Sequence, residues 1–138
     1  MSTIALIGLG NMGMPMAINL KKAGHEVHAF DMVAAAMETA KAEGMNPAAS
    51  ATEAVADAEI IVTMLPNGPI VLKVFEEIVP AARTGAVIID CSTIDVASAK
   101  QAHSMAQAAG VLVYESLQPQ QRNFILYLVG VEKARFRQ

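Results

Sequence analysis

Apolar and polar positions fall into blocks along this chain, and the blocks switch between two periods. Thr3 to Gly8 is an unbroken apolar run ending in glycine, which reads as a buried strand. Asn11 to Ala23 changes to helical spacing, with Met12, Met16 and Leu20 on one side and Lys21 and Lys22 on the other. Gly24 is placed to end that helix. Glu26 to Asp31 reads as a second strand, and Ala34 to Glu43 as an alanine-rich helix closed by Gly44. A short third strand is expected near Met45 to Ala49, then a brief helix over Thr52 to Ala56 capped by Ser50 or Thr52. Glu59 to Met64 predicts a strand, Pro69 to Ala82 a helix ended near Pro80 and Gly85, and Ala86 to Asp90 another strand. A helix over Val96 to Ala109, stopped by Gly110, and a sixth strand over Val111 to Tyr114 complete the pattern.

Strands alternating with helices of this length imply repeated βαβ units, and so an α/β fold with a doubly wound parallel sheet. The 138 residues fit a single domain. A chain of that size buries roughly 68% of the surface its unfolded form exposes, enough for a core. The apolar fraction of 54% and mean hydropathy of +0.39 are high for an acidic domain. Strands buried on both faces raise the count, and so would a face meant for another domain or subunit.

Charge excludes some partners. Ten Lys and Arg stand against thirteen Asp and Glu, a net charge of −3, and no basic run exceeds Lys21-Lys22. Nucleic acid and an acidic membrane surface are therefore not expected as partners. The first apolar stretch, Ile4 to Leu9, has no basic region before it and is too short for a signal sequence. No stretch approaches ~18 apolar residues, so no membrane span is expected. A single cysteine, Cys91, allows no internal disulfide and makes a reducing cytoplasm the expected compartment.

Candidate chemistry begins at Gly8-Leu9-Gly10-Asn11-Met12-Gly13. A GxGxxG sequence alone is weak, but this one joins a predicted strand to a predicted helix, and an acid, Asp31, ends the next strand. That context fits the dinucleotide fingerprint of a Rossmann-type sheet. Gly8 permits the tight turn, Gly10 lets backbone approach a pyrophosphate, and Gly13 lets helix and strand pack closely. The helix N-terminus then faces the phosphates. A carboxylate at Asp31 accepts hydrogen bonds from adenosine ribose hydroxyls and opposes a 2′-phosphate. Met32 and Val33 offer no cation to neutralise it, so NAD is favoured over NADP and NADP-dependent or imine reductases are disfavoured.

Two later loops point at the same crevice, which in open α/β sheets lies beyond the carboxyl ends of the strands. Met64-Leu65-Pro66-Asn67 ends one strand, and Cys91-Ser92-Thr93 follows another. For Pro66 the alternative is only a helix-start proline. Ser92-Thr93-Ile94-Asp95 also fits a capping box, and capping and cofactor contact are compatible in one loop. His25, His28 and His103 have no second ligand at metal spacing, so no metal is expected. Cys91 has no basic neighbour to activate it. Met12 and Met16 read as helix packing, with Met12 also able to line a cofactor through its backbone.

Ile7 to Ala17, then Asn19-Leu20 and Gly24-His25, resemble the β-hydroxyacid dehydrogenases of the 3-hydroxyisobutyrate dehydrogenase and sulfolactaldehyde reductase type. Met64-Leu65-Pro66-Asn67 and Asp90-Cys91-Ser92-Thr93-Ile94 look like that family's next two signatures, in order and spacing. The resemblance covers residues 1 to about 114. It implies hydride transfer between NAD and a short 3-hydroxy acid or its aldehyde. It also implies Asn11 and Met12 at the pyrophosphate, Asp31 at the adenosine ribose, Leu65 at the cofactor's middle and Thr93 on the nicotinamide side.

After Tyr114 the pattern departs. Where the family continues with a DAPVSGG-like loop that holds the substrate carboxylate, this chain reads Glu115-Ser116-Leu117-Gln118-Pro119-Gln120-Gln121-Arg122-Asn123. Similarity returns at Tyr127-Leu128-Val129-Gly130 and Glu132-Lys133-Ala134-Arg135-Phe136. Residues 115–138 are thus an atypical tail, and 115–127 suggest a compensated frame change or a deletion in a truncated chain. A DAPVSGG-like stretch in another reading frame of the coding DNA is the expected trace, and its absence from both rules out a frame change. The family's helical domain with its catalytic lysine has no counterpart here, since Lys133 lies in a different motif. No catalytic residue is assigned, and the chain alone is expected to be inactive. A small 3-hydroxy acid becomes a partner only if a second domain is supplied, and homo-oligomerisation or self-association is expected. The competing reading is a non-catalytic NAD-binding module or a decayed fragment.

Overall fold

The computed structural model of the chain describes residues 3–92 and 94–115. Eleven elements alternate in these residues: β1 (Thr3–Ile7), α1 (Gly10–Lys22), β2 (Glu26–Phe30), α2 (Ala34–Ala42), β3 (Asn46–Pro47), α3 (Ala51–Val55), β4 (Ile60–Thr63), α4 (Gly68–Ala81), β5 (Val87–Asp90), α5 (Val96–Ala108) and β6 (Leu112–Glu115). All strand pairs are parallel, in the order β3-β2-β1-β4-β5-β6. The chain therefore winds outward one way from β1, returns, and winds outward the other way from β4. This is the Rossmann-type doubly wound α/β sheet, and its strand order reverses between β1 and β4.

Side chains of β1 alternate between two cores. Ile4 and Leu6 pack with Met16, Ala17, Leu20 and Ala40 of α1 and α2. Ala5 and Ile7 pack with Val71, Phe75, Ile78 and Ala102 of α4 and α5 on the opposite face. β4 and β5 are buried throughout, with Thr63 and Asp90 as their polar last residues. Burial on both faces accounts for part of the high apolar fraction. Each fully buried Ile or Leu contributes about 1.5–3 kcal/mol of transfer free energy.

Two prolines sit where the sequence suggested breaks or said nothing. Pro80 lies inside the last turn of α4 and does not end it; Ala82 N–H still donates to the Ile78 carbonyl at 2.8 Å. Pro80 and Glu76 are both exposed, so water reaches the carbonyl that Pro80 leaves without a donor. Pro15 lies within α1, where Met14 N–H donates to the Leu9 carbonyl five residues back at 2.7 Å. The first turn of α1 is accordingly wider than an α-turn. β3 is two residues long with Pro47 at the sheet edge, where no onward ladder needs its missing N–H. The expectations for Thr93 and for residues 116–138, including most of the 115–127 segment, fall outside the described residues.

Candidate functional site

The carboxyl ends of β1, β2 and β4 open onto one cleft of about 730 Å³. It lies at the reversal of strand order, where two neighbouring connections leave on opposite faces of the sheet and part to form a crevice. Its floor is Ile7 to Gly10, one wall is Phe30, Asp31 and Met32, and the other is Met64, Leu65 and Pro66. Ala51 and the α4 residues Ile70, Lys73, Val74 and Glu77 complete the lining.

The floor is built by glycines for three separate reasons. Gly8 has φ +94°, and a β-carbon there would lie 2.2 Å from the Met64 carbonyl oxygen of the next loop. Gly13 allows α1 to descend onto the turn, since a β-carbon would lie 2.1 Å from the Gly8 carbonyl oxygen. Gly10 differs. A β-carbon there would meet nothing within 4 Å and would occupy open space in the cleft. Of these three, only Gly10 leaves room at the missing side chain for something other than protein.

The α1 N-terminus faces that room without a side-chain cap, and its first turn carries no acid. Its leading N–H groups have no intrahelical acceptors, and the dipole end is positive. Asn11 and Met12 fall in this first turn, so their backbone belongs to the anion-facing end. A bound pyrophosphate fits this donor set.

Asp31 follows the last residue of β2 and is half-buried. Its Oδ2 accepts from Leu9 N–H at 2.8 Å, and its Oδ1 from Val33 N–H at 2.8 Å. Its own N–H donates to the Met37 sulfur at 3.2 Å. One carboxylate thus ties the glycine turn to the β2 tip and still has lone pairs to offer a ligand.

The predicted residues of the second half divide. Leu65 and Pro66 line the cleft, whereas Asn67 and Ser92 do not. Asn67 is the cap of α4, its Oδ1 accepting from Ile70 N–H at 3.0 Å. Helix α4 therefore starts at Gly68, with Pro69 as its early proline, and Pro66 is not a helix-start residue. The capping box at Ser92–Asp95 is also corrected. Asp95 caps α5, accepting from Ser98 N–H at 2.9 Å and from Ser98 Oγ at 2.7 Å. Those bonds favour the ionised form and hold the Asp95 carboxyl below its usual range. Ser92 instead accepts from Leu65 N–H through its Oγ at 2.7 Å, so its hydroxyl faces β4 rather than the helix behind it.

The α4 contribution is what sequence reading missed. Ile70, Lys73, Val74 and Glu77 recur at the i, i+3, i+4, i+7 spacing of one helical face, and that spacing was the available signal. Cys91 is buried, and burial together with the neighbouring Asp90 charge pushes its thiol well above the usual range, against a nucleophilic role. Among the described residues no group of three His, Cys, Asp or Glu could hold a metal ion, and no helix is long and apolar enough to cross a membrane.

Comparison with known proteins agrees with this geometry. The family model described as the NAD binding domain of 6-phosphogluconate dehydrogenase matches residues 3–116. The chain belongs to that family. The NAD-binding domain it forms is 46% identical over 112 residues to a probable 3-hydroxyisobutyrate dehydrogenase of Mycobacterium tuberculosis, covering 81% of this chain and 38% of that protein. It is 47% identical over 97 residues to the 3-sulfolactaldehyde reductase of Escherichia coli, covering 68% of this chain and 33% of that protein. Among solved structures, M. tuberculosis 3-hydroxyisobutyrate dehydrogenase with L-serine superposes with a TM-score of 0.82 at 44% identity. That match covers 83% of this chain and 40% of the other. The chain thus forms an NAD-binding domain of this family, and spans about 40% of the length of the curated relatives it matches.

Proposed function

We propose that this domain holds NAD for hydride transfer to and from a short 3-hydroxy acid or its aldehyde. The observation that carries the reading is the convergence of Gly8, Gly10, Asp31, Leu65 and Pro66 on one cleft at the strand-order reversal. Gly8 and Gly13 fix the turn, and Gly10 with the backbone of Asn11 and Met12 receives the pyrophosphate. Asp31 accepts from the adenosine ribose hydroxyls. Leu65 and Pro66 bound the cofactor's middle, and Asn67, Ser92 and Thr93 belong to the loops on its nicotinamide side. Bound NAD supplies the hydride acceptor. The domain boundary falls near residue 114, a placement supported by β6 running to Glu115. Substrate contacts and the catalytic base come from a second domain. A cytoplasmic setting is part of the reading, supported by the single cysteine. Recovery of the protein in a secreted or periplasmic fraction rather than the cytosolic one would count against it.

A domain graft tests the function. Residues 3–115 replace the matching part of the M. tuberculosis 3-hydroxyisobutyrate dehydrogenase, and oxidation of 3-hydroxyisobutyrate is followed by NADH absorbance. NAD-dependent turnover is expected. A folded graft that binds NADH without turnover would favour the non-catalytic module instead.

A further inference from the structure

Beneath the Leu65–Pro66 wall, the tips of β4 and β5 are joined by polar side chains that the glycine floor and Asp31 do not involve. Thr63 and Asp90 end the two strands in direct register. Both are buried, Thr63 completely and Asp90 to 2% exposure. Thr63 Oγ1 donates to Asp90 Oδ1 at 2.8 Å, and the same oxygen accepts from Ser92 N–H at 3.0 Å. Ser92 Oγ in turn accepts from Leu65 N–H at 2.7 Å.

The need for such a device follows from where the ladder stops. Met64 N–H still reaches the Ile7 carbonyl, and Cys91 N–H the Thr63 carbonyl. Leu65 is the next residue out, beyond the last of these ladder bonds. A side-chain oxygen from the neighbouring strand's loop replaces the missing ladder acceptor. A carboxylate is a costly group to place under a cleft when an apolar pair would also fill the space. A single oxygen receiving both Thr63 and Ser92 fixes the two strand tips relative to each other, which an apolar pair would not do.

We propose that Thr63, Asp90 and Ser92 are positioning residues for the dinucleotide: they hold the Leu65 backbone, and so the wall of the cleft beyond its adenine half. The proposal rests on the reading of this cleft as the NAD site. Asp31 and β2 lie on one side of the strand-order reversal, and Thr63, Asp90 and Ser92 on the other. The three residues therefore govern the part of the dinucleotide that lies away from adenosine.

The test uses the whole chain and three variants: Thr63→Val, which keeps shape and loses the donor, Thr63→Ser, which restores a donor, and Ser92→Ala. Amide hydrogen exchange at Leu65, read by NMR without ligand, is expected to speed up in Thr63→Val and Ser92→Ala and to return toward wild type in Thr63→Ser. NADH affinity is expected to fall by about tenfold in the first two, one hydrogen bond's worth, with Thr63→Ser again close to wild type. AMP, which carries only the adenine half, should bind all four proteins alike. Unchanged Leu65 exchange overturns the proposal, as does a parallel loss of AMP and NADH, or Thr63→Ser behaving like Thr63→Val. A wild-type chain that binds neither ligand overturns the cofactor reading and the positioning role together, and its Leu65 exchange then reports the bonding alone. Circular dichroism checks folding, and if Ser92→Ala does not fold the Thr63 pair decides.

Discussion

A carboxylate that already binds two backbone N–H groups is a demanding position for substitution, and Asp31 occupies one. Asp31→Asn keeps one acceptor oxygen and loses the charge. Its NADH affinity is expected to fall by about tenfold, from weaker hydrogen bonds to ribose and a looser Leu9 turn. NADPH affinity should fall less, because repulsion of the 2′-phosphate is relieved; calorimetry with both ligands checks the pair, and equal losses would contradict it. Gly13 tests packing alone. Gly13→Ala forces a β-carbon against the Gly8 carbonyl and is expected to cost about 3 kcal/mol in urea unfolding. An unchanged midpoint would mean the turn moves aside freely. Gly8, Gly10 and Asp31 were legible in sequence because a strand, a tight turn and a helix constrain residues close together. The capping reading of Ser92 fails because its acceptor role is to Leu65, 27 residues away, and nothing local distinguishes that from a cap.

Among the elements, the helices show how capping chemistry competes for the same short motifs. Three residues of the Ser92–Asp95 segment look able to start α5, and the carboxylate nearest the helix does so. The folded-state pKa of Asp95 lies below its ordinary value. Its cap therefore stabilises the fold above the ordinary aspartate pKa, and that contribution is lost as pH falls through the lowered value. Asp95→Ala should be less stable than wild type at neutral pH, and the gap should close only at the acid end of a series of thermal melts. A gap constant to the lowest pH would rule out the charged cap. Helix and strand periods were readable throughout, with ends displaced by one or two residues. The cleft-facing stripe on α4 was also present in the spacing of Ile70, Lys73, Val74 and Glu77. Its meaning needed the sheet order, which brings α4 against a cleft whose floor comes from β1.

For the molecule as a whole, repeated βαβ units made a parallel sheet legible, while the order β3-β2-β1-β4-β5-β6 is a three-dimensional fact that adjacent residues do not encode. Part of the high apolar content is not absorbed by the strands. Leu112 on β6 is 56% exposed, and Met32 at the mouth of the cleft 91%. With these surfaces uncovered, the purified chain is expected to self-associate. Sedimentation velocity over a range of concentrations should show a rising average mass, and a constant monomer mass would contradict this.

The most direct measurement is a calorimetric titration of the purified chain with NADH and, separately, with NADPH. Saturable NADH binding at one site is expected, preferred over NADPH by about tenfold or more, from lost ribose hydrogen bonds and repulsion at Asp31. Equal affinities would remove Asp31 from cofactor choice, and no binding of either would contradict the assignment of the cleft itself.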